Sequence, residues 1–205
     1  MPNAIDLPPL TPKADRPTLC FLGRLNARSK RLDHAVAIFE RVRADLPQAE
    51  LWVIGRGAPP PGLLDRVGVR RFSNVSSIER DRLLGAAWVC LATSVREGWG
   101  RMVLEAAAAG TPSVVYDAPG LREAVAAGVT REVVPVDVGR AAQCVARILR
   151  DPPRVRSLGD QARARAAGLD WGGSVARFEE VLEIVRSGDG WSDRKMPINE
   201  EVMAS

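Results

Sequence analysis

The feature that most constrains the fold is an apolar run that leads into a glycine loop and then into a run of helix formers. The apolar run Ala87-Trp-Val-Cys-Leu-Ala92 predicts a buried strand. Gly98 and Gly100 lie in the loop, and residues 101–109 are mostly strong helix formers that end at Gly110. A strand, a glycine loop and a helix in this order direct free backbone N–H groups to the start of the helix, where an anion is stabilised.

Two carboxylates belong to this stretch. Glu97 lies in the loop, and Glu105 lies about one and a half turns into the predicted helix, which lets both side chains reach one crevice. A glycine turn before a helix is also common in α/β proteins, and a glutamate on a helix is usually solvated. From this shape alone, phosphate binding and a plain structural turn stay equally open.

The whole chain repeats this alternation of short apolar strands and amphipathic helices. The alternation predicts an α/β fold with a doubly wound parallel sheet and helices on both faces. Ligands of such sheets bind at the carboxyl ends of the strands. The predicted strands are 18–22, 50–54, 69–72, 87–92, 113–116 and 131–135, and the predicted helices are 32–46, a short one after the prolines at 59–61, 78–86, 101–109, 138–150, 155–167 and 171–186.

One domain accounts for most of the 205 residues. We predict that it spans residues 18–186. Residues 1–17 are rich in proline, which predicts a linker-like extended arm without a regular element. Residues 187–205 are polar and contain glycine, which predicts a flexible tail.

The composition excludes several classes of function. The net charge of +4 comes from arginines that are scattered along amphipathic segments, so nucleic-acid binding is not indicated. A single histidine, His34, gives no support to a histidine-based metal site or catalytic triad. Neither a membrane-spanning segment nor a secretion signal is found in the sequence, which predicts a cytoplasmic protein. The three cysteines lie far apart in apolar settings that favour reduced, buried thiols: Cys20, Cys90 and Cys144.

Four basic residues follow the first predicted strand. At the carboxyl end of a strand such side chains neutralise phosphates, although a solvated turn explains them equally well. They are Arg24, Arg28, Lys30 and Arg31.

The second strand ends in Gly55-Arg-Gly57. A third glycine at position 60 would suggest a dinucleotide fingerprint, but Pro60 occupies it, so nicotinamide binding is disfavoured. The two glycines therefore predict either a close approach of a nucleotide or a tight turn.

The complete pattern from Ser94 to Pro112 is more specific than its shape. Ser-x-x-Glu-Gly-aromatic-Gly, a second glutamate eight positions after the first, and Ala-x-Gly-x-Pro resemble the signature of retaining glycosyltransferases with the GT-B fold. The pattern is most similar to the group 1, or family 4, enzymes, which include sucrose- and mannose-transferring members. The resemblance implies that Glu97 binds hydroxyls of the donor sugar and that Glu105 holds the nucleotide ribose. It also implies that backbone amides meet the diphosphate along Gly98, Trp99, Gly100 and Arg101.

The same resemblance assigns roles elsewhere in the chain. Gly-Arg-Leu followed by a lysine resembles the family's pyrophosphate clamp, which implies that Arg24 and Lys30 neutralise the diphosphate, with Arg31 where the family usually has glycine. Gly55 and Gly57 are then close to the nucleotide. Asn74 stands near a position where glycine is usual, in a loop that presents backbone to the base. The implied donor is a UDP- or GDP-linked sugar, with no metal and no further cofactor.

The first residues resemble the segment that joins the two halves of these enzymes. Pro2-Asn-Ala-Ile-Asp6 is similar to Pro-Asn-Gly-Val/Ile-Asp, which implies a donor-binding half without its acceptor-binding half. In the family the last helix, here 171–186, crosses onto that partner half. A non-catalytic nucleotide-binding module, and one chain of a bipartite enzyme, stay open as alternatives. Glu123, after a second glycine turn, is expected to brace that turn.

Overall fold

The computed structural model describes residues 4–126, 132–169 and 171–187. Its core is a sheet of six parallel strands in the order β3-β2-β1-β4-β5-β6, which confirms the predicted doubly wound α/β fold. The strand bounds are β1 Thr18–Leu22, β2 Glu50–Ile54, β3 Val69–Phe72, β4 Val89–Ala92, β5 Ser113–Tyr116 and β6 Glu132–Val134.

The strand order places a crevice at the centre of the sheet. Strand β1 pairs with β2 on one side and with β4 on the other, so the direction in which the sheet grows reverses there. The loops that leave the carboxyl ends of β1 and β4 then turn to opposite faces, and the space between them is where open parallel sheets bind ligands. The central strands are almost wholly apolar because helices cover both faces.

Seven helices flank this sheet within the described residues. Ser76, Asp137 and Asp151 cap three of them, each accepting a hydrogen bond from the backbone N–H three residues later. The helices are α1 Leu32–Asp45, α2 Ser77–Ala86, α3 Arg101–Ala108, α4 Leu121–Ala126, α5 Val138–Leu149, α6 Pro152–Ala167 and α7 Trp171–Ser187.

One predicted helix and two predicted boundaries were wrong for local reasons. Turns, and no helix, follow the prolines at 59–61. Gly62 adopts a φ of 71°, which lies outside the range of a right-handed helix. Helix α6 begins at Pro152, three residues early, since proline fits the first turn once Asp151 caps it. Strand β4 begins at Val89, because the amide of Ala87 still donates to the last turn of α2.

Residues 4–17 form neither a helix nor a strand, but they are fixed to the domain. The amide of Ala14 donates to the carbonyl of Ala86 at 2.8 Å. The Lys13 ammonium donates to the carbonyls of Ala87 and Gly110 and to the Thr111 hydroxyl, at 2.7–2.9 Å. Burial lowers the pKa of Lys13 to about 8. The division into arm, domain and tail stays a prediction, and residues 188–205 and Arg131 lie outside the described part of the chain.

Helix α7 presents an apolar stripe to solvent. Its large side chains recur at spacings of three and four residues, and each is at least 50% exposed. They are Trp171, Val175, Phe178, Leu182 and Val185. Of the helices in the described ranges, none is both long and apolar enough to cross a bilayer.

Candidate functional site

The loop after β1 carries the predicted phosphate clamp. Arg24 is exposed at the start of this loop, and Lys30 ends a short 3-10 turn, Arg28–Lys30, just before α1. The Thr93 hydroxyl, beyond the end of β4, donates to the carbonyls of Lys30 and Arg31 at 2.9 and 3.1 Å. The amide of Val95 donates to the carbonyl of Ser29 at 2.9 Å. The β1–α1 and β4–α3 loops are therefore joined by three hydrogen bonds.

Lys30 and Glu97, which the sequence assigns to different parts of the donor, form an ion pair. The Lys30 Nζ contacts Oε1 of Glu97, and the Ser94 hydroxyl donates to the same oxygen at 2.6 Å. The Glu97 side chain is 14% exposed, so it is largely shielded from water and hydrogen-bonds to these partners instead.

The turn between β5 and α4 also contacts Glu97. The amide of Glu97 donates to the carbonyl of Pro119 at 3.2 Å. Gly120 follows with a φ of 82°, and a Cβ at this position would lie 1.9 Å from the carbonyl oxygen of Glu97. The β5–α4 turn thus fixes the backbone of the glutamate, and only glycine fits there.

The two glycines that flank Trp99 have different surroundings. Gly100 has a φ of 73° and lies directly before α3, so the turn itself requires glycine. A Cβ added to Gly98 would meet no atom within 4 Å. Within the described ranges, the backbone amides of residues 98–101 donate no hydrogen bond to a carbonyl of a turn, loop or cap. They form the free amino end of α3, which stabilises an anion.

Glu105 lies on the inner side of α3 and is 11% exposed. Its Oε1 is 3.3 Å from Nη1 of Arg80 on α2 and 3.3 Å from Nε of Arg101 on α3. Asp81 accepts from the other guanidinium nitrogens of Arg80 at 2.7 and 2.9 Å. The carboxylate predicted to hold the ribose is therefore oriented by two arginines.

Two neighbouring clefts at the carboxyl edge of the sheet share Gly23 and Arg24 in their linings. One has a volume of about 400 Å³ and lies between the ends of β1 and β2 and the loop after β3. It brings together Arg24, Gly55, Arg56, Asn74, Ser76 and Arg80. The other has a volume of about 560 Å³ and brings together Arg24, Ser29, Lys30, Arg96, Glu97 and Gly98.

The remaining predicted residues lie outside these two linings. Gly57, with a φ of 94°, packs against the Asn26 side chain, which fits the tight-turn alternative. Glu105 adjoins the smaller cleft through Arg80. Trp99, Gly100 and Arg101 lie at the amino end of α3, where Trp99 packs partly on the core.

Charge dominates the larger cleft. Its lining has three cations, Arg24, Lys30 and Arg96, and one carboxylate, Glu97. Within the three described ranges, neither Arg24 nor Arg96 has an ion-pair partner, whereas Lys30 shares its charge with Glu97. The cleft therefore carries uncompensated positive charge, which favours an anion.

Sequence reasoning did not single out Arg56, Arg80 or Arg96. Arg96 directly precedes Glu97 in the motif, so the sequence could have indicated that it lies near the cleft. Arg80 carries no such signal, because its contact with Glu105 joins two helices that only the sheet order brings together.

Two non-glycine residues near the clefts have positive φ. Asn74 has a φ of 56°, a conformation that asparagine tolerates. Arg31, where the resemblance implies glycine, has a φ of 49°. Its guanidinium binds the Asp33 carboxylate at 3.0–3.2 Å, which fixes the side chain at the start of α1.

A polar cluster continues from Arg31 toward the end of β5. The hydrogen bond from Arg31 lowers the pKa of Asp33, and burial, followed by the charge of Arg31, lowers the pKa of His34. His34 Nδ1 is 2.9 Å from the hydroxyl of Tyr116, whose pKa burial raises to about 12. Both groups are therefore neutral at pH 7 and serve as packing and hydrogen-bonding groups. No cluster of possible metal ligands occurs among the residues the structure describes.

Known proteins resemble this chain over most of its length. The model of a family described as glycosyl transferases group 1 matches residues 16–151. The glycogen synthase of Mycobacterium tuberculosis is 29% identical over 201 residues, covering 94% of this chain and 48% of the synthase. The MMP alpha-(1->4)-mannosyltransferase of Mycolicibacterium hassiacum is 32% identical over 157 residues, covering 73% of this chain and 38% of that enzyme. The chain thus spans about half the length, or less, of these curated relatives.

Solved structures share the fold. Sucrose-phosphate synthase from Thermosynechococcus elongatus is 26% identical, with a TM-score of 0.72 over 84% of this chain and 46% of the synthase. HepE from Anabaena, crystallised with UDP-glucose, is 19% identical, with a TM-score of 0.69 over 82% of this chain and 49% of HepE. At that identity the second likeness concerns the fold alone.

Proposed function

The chain belongs to the glycosyl transferases group 1 family, and we propose that it is the donor-binding half of a retaining glycosyltransferase that transfers a hexosyl group from a nucleotide-sugar. The observation that carries this proposal is the larger cleft, where unpaired cations, Gly98 and the Lys30–Glu97 pair converge a few residues before the amino end of α3. A nucleotide-sugar presents the matching groups, which are a diphosphate beside a polyhydroxylated ring.

Each residue then has a distinct role. Arg24 and Lys30 offset the charge that develops on the departing diphosphate, which is an electrostatic contribution to the transition state. The amides of residues 98–101 bind phosphate oxygens at the amino end of α3. Glu97 orients the sugar through its hydroxyls, and Glu105 accepts hydrogen bonds from the ribose. Because side-chain cations neutralise the diphosphate, we propose that neither a metal nor a cofactor is needed.

The smaller cleft suits the nucleoside. It lies between the ends of β1 and β2 and the loop that contains Asn74, and it joins the larger cleft at Arg24. A donor that spans both clefts places its diphosphate at Arg24, its base near Asn74 and its sugar near Glu97. HepE, which shares the fold, was crystallised with UDP-glucose, and this supports a nucleotide-sugar donor.

An acceptor-binding half completes the proposed enzyme. The described residues form one sheet with its flanking helices, so the acceptor site comes from outside them. The apolar stripe of α7, centred on Phe178 and Leu182, supports this idea because an apolar surface of this kind is suited to burial against a second domain. The free thiols of the described cysteines fit a reducing compartment, and we propose a cytoplasmic location.

Isothermal titration calorimetry tests the donor role. The chain is titrated with UDP, GDP and ADP and with UDP-glucose, GDP-mannose and ADP-glucose, with and without a chelator. We expect one base to be preferred and the nucleotide-sugar to bind at least as tightly as its diphosphate, without a metal requirement. Arg24→Ala is expected to weaken the binding of every ligand. Arg156→Ala, at an exposed position of α6, is a control that should leave binding unchanged. Absence of heat with all six ligands at millimolar concentration contradicts the proposal.

A further inference from the structure

The carboxylate of Glu97 uses its two oxygens differently. Oε1 receives both the Ser94 hydroxyl, at 2.6 Å, and the Lys30 ammonium. Oε2 has no hydrogen-bond partner within the part of the chain that the structure describes. A carboxylate oxygen accepts about two hydrogen bonds, so Oε1 is saturated by the protein while Oε2 is open to a ligand.

Ser94 is well placed to hold this arrangement. It is 1% exposed, it lies two residues beyond the end of β4, and its backbone belongs to the loop that is bonded to the β1–α1 loop. The hydrogen bond between Glu97 and Pro119 fixes the backbone of the glutamate, but the terminal torsion of a glutamate side chain is broad. The plane of the carboxylate therefore depends on the groups that bind Oε1.

Lys30 cannot supply this constraint alone once a donor is bound. In the proposed function Lys30 neutralises the diphosphate, so the phosphate oxygens and Glu97 compete for the same ammonium. Ser94 is a neutral donor with no such competing demand, and its burial keeps water from replacing the bond. With Ser94 on Oε1, the carboxylate keeps its orientation while Lys30 turns to the diphosphate.

We propose that Ser94 is a positioning residue, which holds Oε1 of Glu97 so that Oε2 accepts a hydrogen bond from a hydroxyl of the donor sugar. The inference rests on the proposed donor role. It predicts that Ser94 affects the part of the affinity that comes from the sugar, and not the part that comes from the nucleoside diphosphate. A side chain that merely stabilises the loop would affect both parts together.

Calorimetry with matched ligand pairs measures these parts separately. Wild type and Ser94→Ala are titrated with UDP and UDP-glucose and with GDP and GDP-mannose. We expect Ser94→Ala to bind the diphosphates as wild type does and to lose roughly 10-fold in affinity for the preferred nucleotide-sugar, the scale of one hydrogen bond to a charged group. Ser94→Cys, which is slightly larger and donates only weakly, is expected to fall between the two and gives a second reading if the alanine variant folds poorly.

Two controls separate positioning from stability. Ser113→Ala removes another buried hydroxyl, at the amino end of β5, whereas the clefts lie at the carboxyl ends of the strands. It is expected to leave both affinities unchanged. In a double-mutant cycle, Ser94→Ala added to Glu97→Gln should cost nothing further, because Ser94 acts only through Glu97.

The outcomes distinguish the two levels of the argument. A wild-type chain that binds a nucleotide-sugar, combined with Ser94→Ala binding it equally well, overturns the inference alone. Equal losses for diphosphate and nucleotide-sugar in Ser94→Ala, or full additivity with Glu97→Gln, also overturn it and leave the donor role intact. A wild-type chain that binds none of the four ligands overturns both.

Discussion

Gly120 lies directly against the backbone of Glu97: a Cβ on Gly120 would stand 1.9 Å from the Glu97 carbonyl oxygen. Through this contact the turn after β5 supports the loop after β4, and the hydrogen bond from Glu97 to Pro119 reinforces it. The candidate site is thus assembled from three loops that meet at one residue, Glu97. Gly98, one residue along from Glu97, has open space where a side chain would be. The two glycines therefore have different physical reasons to be glycine.

Substitution of Gly120 should damage the fold. Gly120→Ala adds a Cβ to a residue with a φ of 82° and against a backbone carbonyl, and we expect a loss of roughly 2 kcal/mol or more in the free energy of unfolding. Urea denaturation followed by circular dichroism measures this loss. A variant as stable as wild type would mean that the turn after β5 does not hold Glu97 as the structure shows.

Substitution of Gly98 should instead affect the ligand. Gly98→Ala places a methyl group in the open space of the larger cleft, so we expect a change in unfolding free energy of less than about 0.5 kcal/mol. Because the methyl group occupies the path to the amides before α3, the affinity for the diphosphate should fall. Calorimetry with UDP and GDP measures the affinity. Unchanged binding by Gly98→Ala would argue that the diphosphate lies elsewhere.

Glu105 and Glu97 should differ in which part of the donor they recognise. Glu105→Gln is expected to weaken nucleoside diphosphate binding by about 1.5–3 kcal/mol, since charge-assisted hydrogen bonds to the ribose are lost. Glu97→Gln should spare the diphosphate and weaken only the nucleotide-sugar. Both substitutions conserve size, and calorimetry with UDP and UDP-glucose compares them directly. Equal losses for the plain diphosphate in both variants would refute this division of roles.

Lys13 should give the stability a specific pH dependence. Its pKa is about 8 in the folded protein and about 10.5 in an unfolded chain, so between these values the unfolded state binds more protons. Stability from this residue is therefore lowest below pH 8 and rises as the pH approaches 10.5, by about 3 kcal/mol in total.

Comparison with Lys13→Met isolates this contribution. Burial raises the pKa of Cys144 to about 11 and that of Tyr116 to about 12, which lowers stability as the unfolded groups ionise at high pH, but both groups are present in the variant as well. We expect the difference in unfolding free energy between wild type and Lys13→Met to grow in favour of wild type from pH 7.5 to 9.5. A constant difference over this range would show that Lys13 is not desolvated against the domain in the folded protein.

The sequence was sufficient for most of the fold because the strands are short and almost wholly apolar. The bounds of β1, β2, β3 and β5 agree with the predicted ones, since each strand is bordered by glycine, proline or charged residues. The turn after Pro61 was mistaken for a helix because apolar residues at 63, 64 and 67 resemble helical spacing. There the local conformation of Gly62 prevailed over periodicity.

The site was less accessible to sequence reasoning than the fold. The sequence placed Arg24, Lys30 and Glu97 at strand ends, and the structure brings all three to one cleft. Their individual roles stay predictions. The pairing of Arg80 with Glu105, and of Ser94 with one oxygen of Glu97, depends on side-chain directions that no spacing rule contains. Such contacts follow from the order of the strands and the exact course of the loops.

A protein made only of these 205 residues should transfer sugar slowly or not at all. Transfer requires donor and acceptor to be held in reactive geometry, and this positioning contributes about 7–11 kcal/mol to lowering a barrier. The two clefts proposed to bind the donor are open to solvent, so the described residues neither position an acceptor nor exclude water. Slow hydrolysis of the donor should remain, because the clamp and Glu97 are present, and Glu97→Gln should reduce it. Release of UDP from UDP-glucose, or of GDP from GDP-mannose, measures hydrolysis. The same assay with candidate sugar acceptors measures transfer. Fast, saturable transfer by the purified chain without a second protein would show that an acceptor-binding half is dispensable, whereas undetectable hydrolysis together with tight donor binding would favour a non-catalytic binding module.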